Sequence, residues 1–460
     1  MADLAQHFVP ERAIETIADF IADPVEAARF PSHRIRFRHD RAAGEIGLAK
    51  LNDARWIDHF GRFEPLPGSL PQPLALRYHG HQFRVYNPDI GDGRGFLFGQ
   101  CRDGSGRLMD LGTKGSGQTP YSRFGDGRLT LKGAVREVLA TEMLEAFGVE
   151  TSRTLSVIET GEALNRGDEP SPTRSAVLVR LNHGHIRIGS FQRLAALGRT
   201  QELERLTAYC LLHYFGETAA EDAPARLLTL VAERTAKLAA SYMAAGFVHG
   251  VLNSDNINIT GESFDYGPWR FAPTFDPGFT AAYFDQNGLY SFGRQAEAIH
   301  WDVVQLAIAL RDICDADPLA RAVEAFAPTY RAALVTRMLS RLGVAPRADD
   351  ENMRLVQAIE QALIVSDVGI DRFFFDWRGG DLRRPDSSYG DAAFDGFRDT
   401  VAAFEPAASL SHAYWSDAAP CAMLIDEVEA IWAPIAAADD WSLFEDKVRA
   451  IRRMGAALAG

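Results

Sequence analysis

The chain has 460 residues, of which 47% are apolar and 24% are charged, and its formal net charge is −14. This length exceeds a single ordinary domain, and the composition is typical of a globular protein that buries a sizeable core. The acidic balance argues against a general nucleic-acid binder, whose mark is a basic face.

The cysteines and the N-terminal stretch exclude further classes of protein. The four cysteines never form a Cys-x-x-Cys pair, so neither a zinc site nor a disulfide framework is predicted. The first residues, MADLAQHFVPERAIETIADF, include acids and lack the apolar segment of a signal peptide. No uncharged apolar run approaches the roughly 20 residues that cross a bilayer. We therefore expect a cytoplasmic protein without a membrane segment.

The first half of the chain alternates between loops and strands. Residues 1–75 are mixed in character and end in the proline-rich EPLPGSLPQP at 64–73, which predicts a loop or a domain edge. Residues 84–118 have the texture of strands and turns, and DGSG at 103–106 predicts a hairpin turn. A further strand, AVLVRL, is predicted at 176–181.

Helices dominate the remainder. Apolar residues recur at every fourth position over 131–147, which predicts a helix that stops at Gly148. Helical periodicity prevails from about residue 190 onward and is interrupted by a loop region at 247–295. A predicted helix at 227–246 ends just before that loop.

A small sheet with one helix, followed by a large helical part, is the order of elements in a protein kinase. We predict an α+β, protein-kinase-like two-lobe fold. Residues 1–75 would be an N-terminal extension, and residues 76–190 a β-rich N-lobe with nucleotide loops. Residues 191–460 would be a helical C-lobe that carries the catalytic and metal loop and a C-terminal helical extension.

The loop region contains HGVLNSDN at 249–256, followed by FDYGP. A kinase has its catalytic Asp two residues after such a His, a metal-binding Asn five residues later, and then a metal-binding Asp in an Asp-Phe-Gly turn. Here His249, Asn256 and Asp265 match, whereas Val251 stands where the catalytic Asp belongs. The sequence thus retains the metal ligands and lacks the base.

Three side chains of this region are candidates for chemistry. Asn256 and Asp265 offer the oxygen ligands that Mg²⁺ prefers. Asp255 could accept a proton from an attacking hydroxyl, or it could be a loop or helix-capping Asp, as is usual in NSDN. Asp276, in TFDPG, is interpreted as a turn residue.

Lys114 ends a predicted strand, and Glu137 lies in the middle of the next predicted helix. In kinases a strand Lys binds nucleotide phosphates and is held by a Glu of the following helix. The alternative is a surface Lys and an exposed Glu that never meet.

Two Gly-Asp-Gly-Arg tetrads, at 91–94 and 125–128, flank Lys114. Glycines let backbone N–H groups approach a phosphate, and an arginine adds a fixed cation; each tetrad could also be a simple turn. The residues that they offer to a nucleotide are Gly91, Gly93, Arg94, Asp126 and Gly127.

Arg180 and Arg187 bracket LNHGHI. Arginines beside a glycine-rich region suit a polyphosphate, although structural salt bridges are the alternative. His183 and His185 are interpreted as loop residues, because no further ligand stands at metal-binding spacing.

Together these motifs resemble the selenoprotein O family, whose bacterial members are also called YdiU. The segments that carry the resemblance are YHGHQF, GDGRG, KGSGQTPYSRFGDGR, VREVLATEML, VRLNHGHIRIGSF, HGVLNSDNINI, DYGP and YSFGRQAEAIHWDVVQLA. The family is similar to protein kinases but acts as protein adenylyltransferases, which bind ATP flipped so that the α-phosphate faces the acceptor. A kinase base at position 251 would then be unnecessary.

The resemblance implies a role for each matched residue. Asp255 would be the catalytic base, Glu137 would position Lys114, and Asn256 and Asp265 would hold Mg²⁺. The nucleotide would be bound by Gly91, Gly93, Arg94, Lys114, Asp126, Gly127, Arg180, Arg187 and Asp265. The partners would be ATP and acceptor proteins with Ser, Thr or Tyr hydroxyls, without nucleic acid or membrane.

The sequence departs from the family pattern in three places. The last cysteine, Cys421, lies 39 residues from the end, and Trp269 follows the DYGP turn where relatives carry a cysteine. Control through a disulfide there is therefore not expected. Arg84 stands where relatives have Gly, and Asp302 where an Asn is common.

Two other functions fit the same residues. One is a uridylyltransferase that uses UTP with Mn²⁺ in place of ATP with Mg²⁺. The other is a pseudokinase scaffold without catalysis, which the loss of an acid at position 251 favours. Self-modification is also compatible with the sequence, because hydroxyl residues such as Tyr121 and Ser122 border the predicted site.

Overall fold

The computed structural model describes residues 8–167 and 169–460. It contains a large antiparallel sheet and many helices, which confirms the mixed α and β composition. Its strands are β1 (Val9–Glu11), β2 (Ala22–Pro24), β3 (Arg34–Arg38), β4 (Leu74–Leu76), β5 (Gly80–Gln82), β6 (Val85–Asn87), β7 (Leu97–Arg102), β8 (Leu108–Lys114), β9 (Leu129–Thr130), β10 (Arg153–Leu164), β11 (Thr173–Asn182), β12 (Phe247–Val248) and β13 (Arg270–Phe271).

The α-helices lie mostly after the sheet strands in the chain. They are α1 (Ala18–Ile21), α2 (Asp40–Glu45), α3 (Asp53–Phe60), α4 (Leu131–Ala146), α5 (Ile188–Ala196), α6 (Thr200–Cys210), α7 (Ala223–Ala245), α8 (Gln295–Ala309), α9 (Ala316–Glu324), α10 (Phe326–Leu342), α11 (Asp349–Val365), α12 (Ile370–Asp376), α13 (Asp395–Val401), α14 (Ile425–Ala438) and α15 (Ser442–Ala459). Among the residues described, none of these helices combines the length and apolar character that a membrane crossing requires.

The main sheet has the strand order β2-β4-β7-β8-β11-β10-β3, with β1 added on β7 and β9 on β11. Strand β11 is buried on both faces because its side chains alternate between two cores. Leu178 packs with the residues of α4, whereas Val177 and Val179 pack with Trp56 of α3 on the opposite face. Because both faces of the sheet are packed against other elements, the strand ends, including Lys114 at the end of β8, are held in position.

Several predicted elements are confirmed. Strand β11 includes the predicted 176–181, and the turn at 103–106 joins β7 to β8. Helix α4 begins after Thr130, whose side chain accepts a hydrogen bond from the Gly133 N–H, and it ends before Gly148, which adopts a left-handed φ of 72°.

The main sheet includes strands on both sides of the boundary predicted at residue 75. Strands β1, β2 and β3 pair with β7, β4 and β10, so the N-terminal residues belong to the same sheet as Lys114. At the other end of the chain, α15 packs along α4 through an ion pair between Arg452 and Glu142. The N-terminal strands therefore extend the sheet that carries Lys114, and α15 supports the helix that carries Glu137.

The loop region 247–295 follows α7, which ends at Gly246 in the left-handed conformation. Strands β12 and β13 pair and hold the two ends of the segment that contains Asp255 and Asp265. His249 is buried and its Nε2 lies 2.9 Å from the Phe264 carbonyl oxygen. This contact ties the start of the loop to the residue before Asp265.

Candidate active site

A cavity of about 660 Å³ opens where β8 and β11 meet the loop region. Among the residues predicted for the site, those that line this cavity are Gly91, Gly93, Arg94, Lys114, Asp126, Gly127, Arg180, Arg187, Asp255, Asn256 and Asp265. Glu137 stands directly behind Lys114. The structure thus brings all of the predicted residues together.

Lys114 is the centre of a buried charge cluster. Its Nζ lies 2.7 Å from Glu137 Oε2 and 2.9 Å from Asp265 Oδ1, and the side chains of Lys114 and Glu137 are 5% and 1% exposed. Arg180 Nη1 approaches the same two carboxylates at 3.8 and 3.7 Å. Burial by itself would raise the pKa of Asp265, but Lys114, Arg180 and Arg187 hold this pKa well below its usual value. Asp265 is therefore an anion.

Arg187 connects the first Gly-Asp-Gly-Arg tetrad to the loop that contains Asp255. It is buried, and its Nη2 donates to Asp92 Oδ1 while its Nη1 donates to the Asp255 carbonyl oxygen, both at 3.0 Å. Its guanidinium also lies over the ring of Tyr78, 4.2 Å from the centroid. These contacts fix a cation beside Asp255.

Asp255 forms part of the cavity wall in a short 3₁₀ turn, Ser254–Asn256. It is buried, and its Oδ1 receives no hydrogen bond from the described residues. Burial raises the pKa of this carboxyl to about 6, although Arg187 opposes the shift. A side chain on Gly80 would meet Asp255 Oδ1 at 2.8 Å, so the carboxylate lies directly against the backbone of β5.

Asn256 and Asp265 both line the cavity and carry oxygen atoms of the kind that a hard cation takes as ligands. Asn256 donates its Nδ2 to the Val251 carbonyl at 3.1 Å, and its Oδ1 receives no hydrogen bond from the residues described. Asp265 adopts a left-handed φ of 64°, an uncommon conformation for a residue other than glycine. An amide oxygen and a carboxylate that face a cavity fit Mg²⁺, which takes further ligands from water and phosphate.

The glycines of the two tetrads are required by close packing. A side chain on Gly91 would overlap the ring of Tyr121, and one on Gly93 would meet the Tyr121 carbonyl oxygen at 3.0 Å. Gly127 adopts a φ of 69°, in the left-handed region that favours glycine. Contacts within the protein therefore require glycine at Gly91 and Gly93, and backbone conformation favours it at Gly127.

A family model for the protein adenylyltransferase SelO matches residues 5–388 of this chain. The chain belongs to the SelO family. The match reaches further toward both ends than the motifs that suggested it, and it confirms that the protein is a member of an enzyme family.

Three relatives named protein nucleotidyltransferase YdiU show how far the SelO similarity extends. The relative from Synechococcus elongatus is 43% identical over 95% of this chain and 93% of its own length. That from Gloeobacter violaceus is 44% identical, with 96% and 95% covered. That from Synechocystis is 48% identical over 74% of this chain and 72% of its own.

Sequence reasoning missed part of the lining in this SelO-family site. The polar residues of the wall outside the set assigned to it are Tyr78, Gln82, Asp92, Thr113, Tyr121, Ser122, Arg123, Arg128, Arg166, His185 and Asn253. Asp92 lies within a quoted motif and could have been found there. Arg166 pairs with Asp126 at 2.8 Å, although the two residues are 40 positions apart. No local sequence pattern identifies Arg166 as a residue of the site.

Three residues were assigned to turns or loops. Asp276 is exposed and its Oδ1 accepts a hydrogen bond from the Gly278 N–H at 2.8 Å, which confirms the turn. His183 contacts the carbonyl oxygens of Leu108 and Tyr214. His185, by contrast, is buried against Asp110 and contributes to the cavity wall, so describing it only as a loop residue was incomplete.

The departures from the family pattern have structural settings. Arg84 adopts a φ of 63°, in the left-handed region that glycine enters without strain, and it pairs with Glu297 at 2.9 Å. Asp302 is buried in α8, and neither of its carboxylate oxygens has a hydrogen-bond partner in the described part of the chain. Burial, with Asp255 nearby, raises the pKa of Asp302 well above its usual value. Cys421 is partly buried and is a free thiol.

Proposed function

We propose that the protein transfers AMP from ATP to Ser, Thr or Tyr hydroxyls of acceptor proteins and releases pyrophosphate. The observation that carries the proposal is the position of Asp255, a buried carboxyl in the same cavity wall as Lys114, Arg180 and Arg187. Family membership supports nucleotidyl transfer to proteins, and the choice of AMP is part of the proposal.

The charges of the cavity support nucleotidyl chemistry. In the proposed reaction the acceptor oxygen bonds to the α-phosphorus while the bond to the α–β bridging oxygen breaks. The acceptor proton passes to Asp255, and the electron pair of the broken bond leaves with pyrophosphate. Fixed cations such as Lys114 and Arg180 stabilise the charge that develops on the phosphates, which is usually the largest catalytic contribution.

The reversed orientation of ATP explains why Val251 can replace a kinase base. Asp255, four residues later, would receive the proton because the reacting phosphorus is the innermost one. Asn256 and Asp265 would hold Mg²⁺, which supplies Lewis-acid stabilisation of phosphate oxygens when bound. A cation there would also lower the pKa of Asp255.

A kinase-like two-lobe arrangement is part of the same proposal. Three features support it. Lys114 stands at the end of β8 in the antiparallel sheet, it pairs with Glu137 of α4, and a series of helices follows in the chain. A kinase nucleotide site likewise has a strand lysine paired with a glutamate of the following helix.

The first test determines which phosphate of ATP is transferred to the acceptor. We expect the purified protein, incubated with Mg²⁺ and ATP labelled at the α-phosphate, to label acceptor proteins, whereas label at the γ-phosphate should appear in pyrophosphate. Mass spectrometry should find an adenylate on a hydroxyl residue, including residues of the protein itself if it is self-modified. Label transferred only from the γ-phosphate would identify a kinase and contradict the reversed orientation.

The same assay distinguishes AMP transfer from the two alternative functions, a uridylyltransferase and a scaffold without catalysis. A preference for UTP with Mn²⁺ in direct competition with ATP would identify a uridylyltransferase. Thermal stabilisation by ATP and Mg²⁺, with no transfer to any acceptor, would identify a scaffold.

A second prediction concerns Gly80. In Gly80→Ala the new methyl group would displace Asp255, and we expect transfer to fall by about 10²-fold, because a shift of about 1 Å in a reacting group has this effect. Gly104→Ala is the matched control, since its methyl group would have no neighbour closer than 3.8 Å. Initial rates and melting temperatures of both variants are the measurements; equal rates would show that Asp255 tolerates the displacement.

A further inference from the structure

Four exposed apolar residues lie on the two chain segments that donate hydrogen bonds to Asn253, a residue of the cavity wall two positions before Asp255. They are Val85 and Tyr86 of β6 and Tyr283 and Phe284 of the loop region, exposed to 69%, 36%, 89% and 46%. We call this set the apolar lip. Exposed aromatic residues beside a binding cavity are typical of surfaces that receive a partner.

The two halves of the lip meet at Phe83. Its ring lies 5.8 Å from the ring of Phe284 and 5.0 Å from that of Tyr290. Phe83 directly follows β5 and, with Arg84, forms the turn into β6; both residues adopt a left-handed φ, of 51° and 63°. This turn thus joins the β5–β6 hairpin, which carries Val85 and Tyr86, to the aromatic cluster that contains Phe284.

The lip is attached to the catalytic loop by hydrogen bonds. The Phe83 N–H donates to Asn253 Oδ1 at 3.1 Å, and the Tyr290 hydroxyl donates to the same oxygen at 2.7 Å. Asn253 lines the cavity and precedes Asp255 by two residues. Gly80, at the start of the adjoining strand, lies against the Asp255 carboxylate. The lip therefore has a defined position relative to the proposed base.

We propose that the apolar lip binds the acceptor segment of the protein substrate and selects hydroxyl residues that are flanked by apolar side chains. This inference rests on the proposed function, because an acceptor hydroxyl has to reach Asp255. In an extended segment each residue advances about 3.3 Å. Side chains one or two positions from the hydroxyl would therefore lie over the surface that surrounds Asp255.

The charges around the lip favour an apolar segment over a charged one. Arg84 and Arg294 both pair with Glu297, at 2.9 and 3.0 Å, and Asp285, which follows Phe284, also acts on Arg294, so two positive charges face two negative ones. The strong positive charge lies deeper in the cavity, with Lys114 and Arg180, where the phosphates would bind. Apolar contact is thus the main interaction that the lip offers.

A binding measurement tests this without requiring catalysis. The probes are two fluorescent nine-residue peptides with a central Ser, one flanked on both sides by Leu and the other by Gln, measured by anisotropy with saturating α,β-methylene-ATP. We expect the wild-type protein to bind the Leu-flanked peptide about tenfold more tightly, as partial burial of two aromatic side chains predicts. The double variant Tyr283→Ser, Phe284→Ser should lose this preference.

The matched control is Leu197→Ser, Leu212→Ser, because these side chains are 52% and 53% exposed and do not line the cavity. It should keep the wild-type preference. Equal affinity of the wild type for both peptides would overturn the proposal. So would weaker ATP binding by the lip variant, which would assign the lip to the nucleobase, or an altered oligomeric state in sedimentation, which would assign it to a second copy of the chain.

Failure of the proposed function is distinguishable from failure of this inference. AMP transfer is measured with labelled ATP, whereas peptide preference is measured as a dissociation constant with an unreactive nucleotide. A lip that binds Leu-flanked peptides in a protein that transfers no AMP would contradict only the proposed function.

Discussion

Replacement of Asp255 by asparagine is expected to lower AMP transfer by about 10³-fold, the contribution typical of a positioned general base. Asparagine keeps the shape of the side chain and removes its ability to accept the proton. Because the phosphate-binding cations are unchanged, the dissociation constant of ATP should stay within about twofold of the wild-type value, less than 1 kcal/mol of binding free energy. Steady-state rates and calorimetric titration with ATP measure the two quantities.

Asp276→Asn provides the control, because Asp276 lies in the same loop region but serves only a turn. It should retain wild-type transfer. If Asp255→Asn kept a tenth or more of the wild-type rate, another group would have to accept the proton. Asp265 is the carboxylate then left in the cavity wall beside Lys114, but its low pKa makes it a weak base.

Replacement of Lys114 by methionine is expected to have two effects. Transfer should fall by about 10³-fold, since removal of one preorganised charge from an active site costs this much. The free energy of unfolding should decrease by about 3 kcal/mol, because Glu137 would be left buried without its partner. Urea denaturation and transfer assays on the same preparation measure both effects.

The surface pair Lys132–Glu429 is the matched control for this variant, with the same 2.7 Å separation but side chains that are 23% and 47% exposed. Lys132→Met should change the unfolding free energy by less than about 1 kcal/mol and leave transfer intact. The double variant Lys114→Met, Glu137→Gln should regain stability but not activity. Recovery of activity in this double variant would mean that Lys114 acts only by neutralising Glu137.

The charged residues at the centre of the site could be predicted from the sequence because they lie in short motifs. The strand end at Lys114, the helix with Glu137, and the Asn256 and Asp265 spacing each depend on a few neighbouring residues. Local hydrogen bonding and side-chain periodicity govern such elements, and these are visible in a single sequence. The hairpin turn at 103–106 was predictable for the same reason.

Contacts over long separations could not be predicted in this way. Arg187 binds Asp92 across 95 positions, and Arg166 binds Asp126 across 40. The sequence also gave no indication that β1, β2 and β3 would join the sheet that carries Lys114. Strand pairing of this kind depends on packing against distant partners more than on the intrinsic preference of each segment.

The sequence by itself determined which chemical groups this protein has and which local elements carry them, because backbone preference and motif spacing act within a few residues. Only the tertiary structure decided that Asp255 lies against Gly80 and beside Arg187, and that Lys114 is buried between Glu137 and Asp265. The physical reason is that burial and neighbouring charge set the properties of a titratable group. Both depend on which distant segments the folded chain brings together.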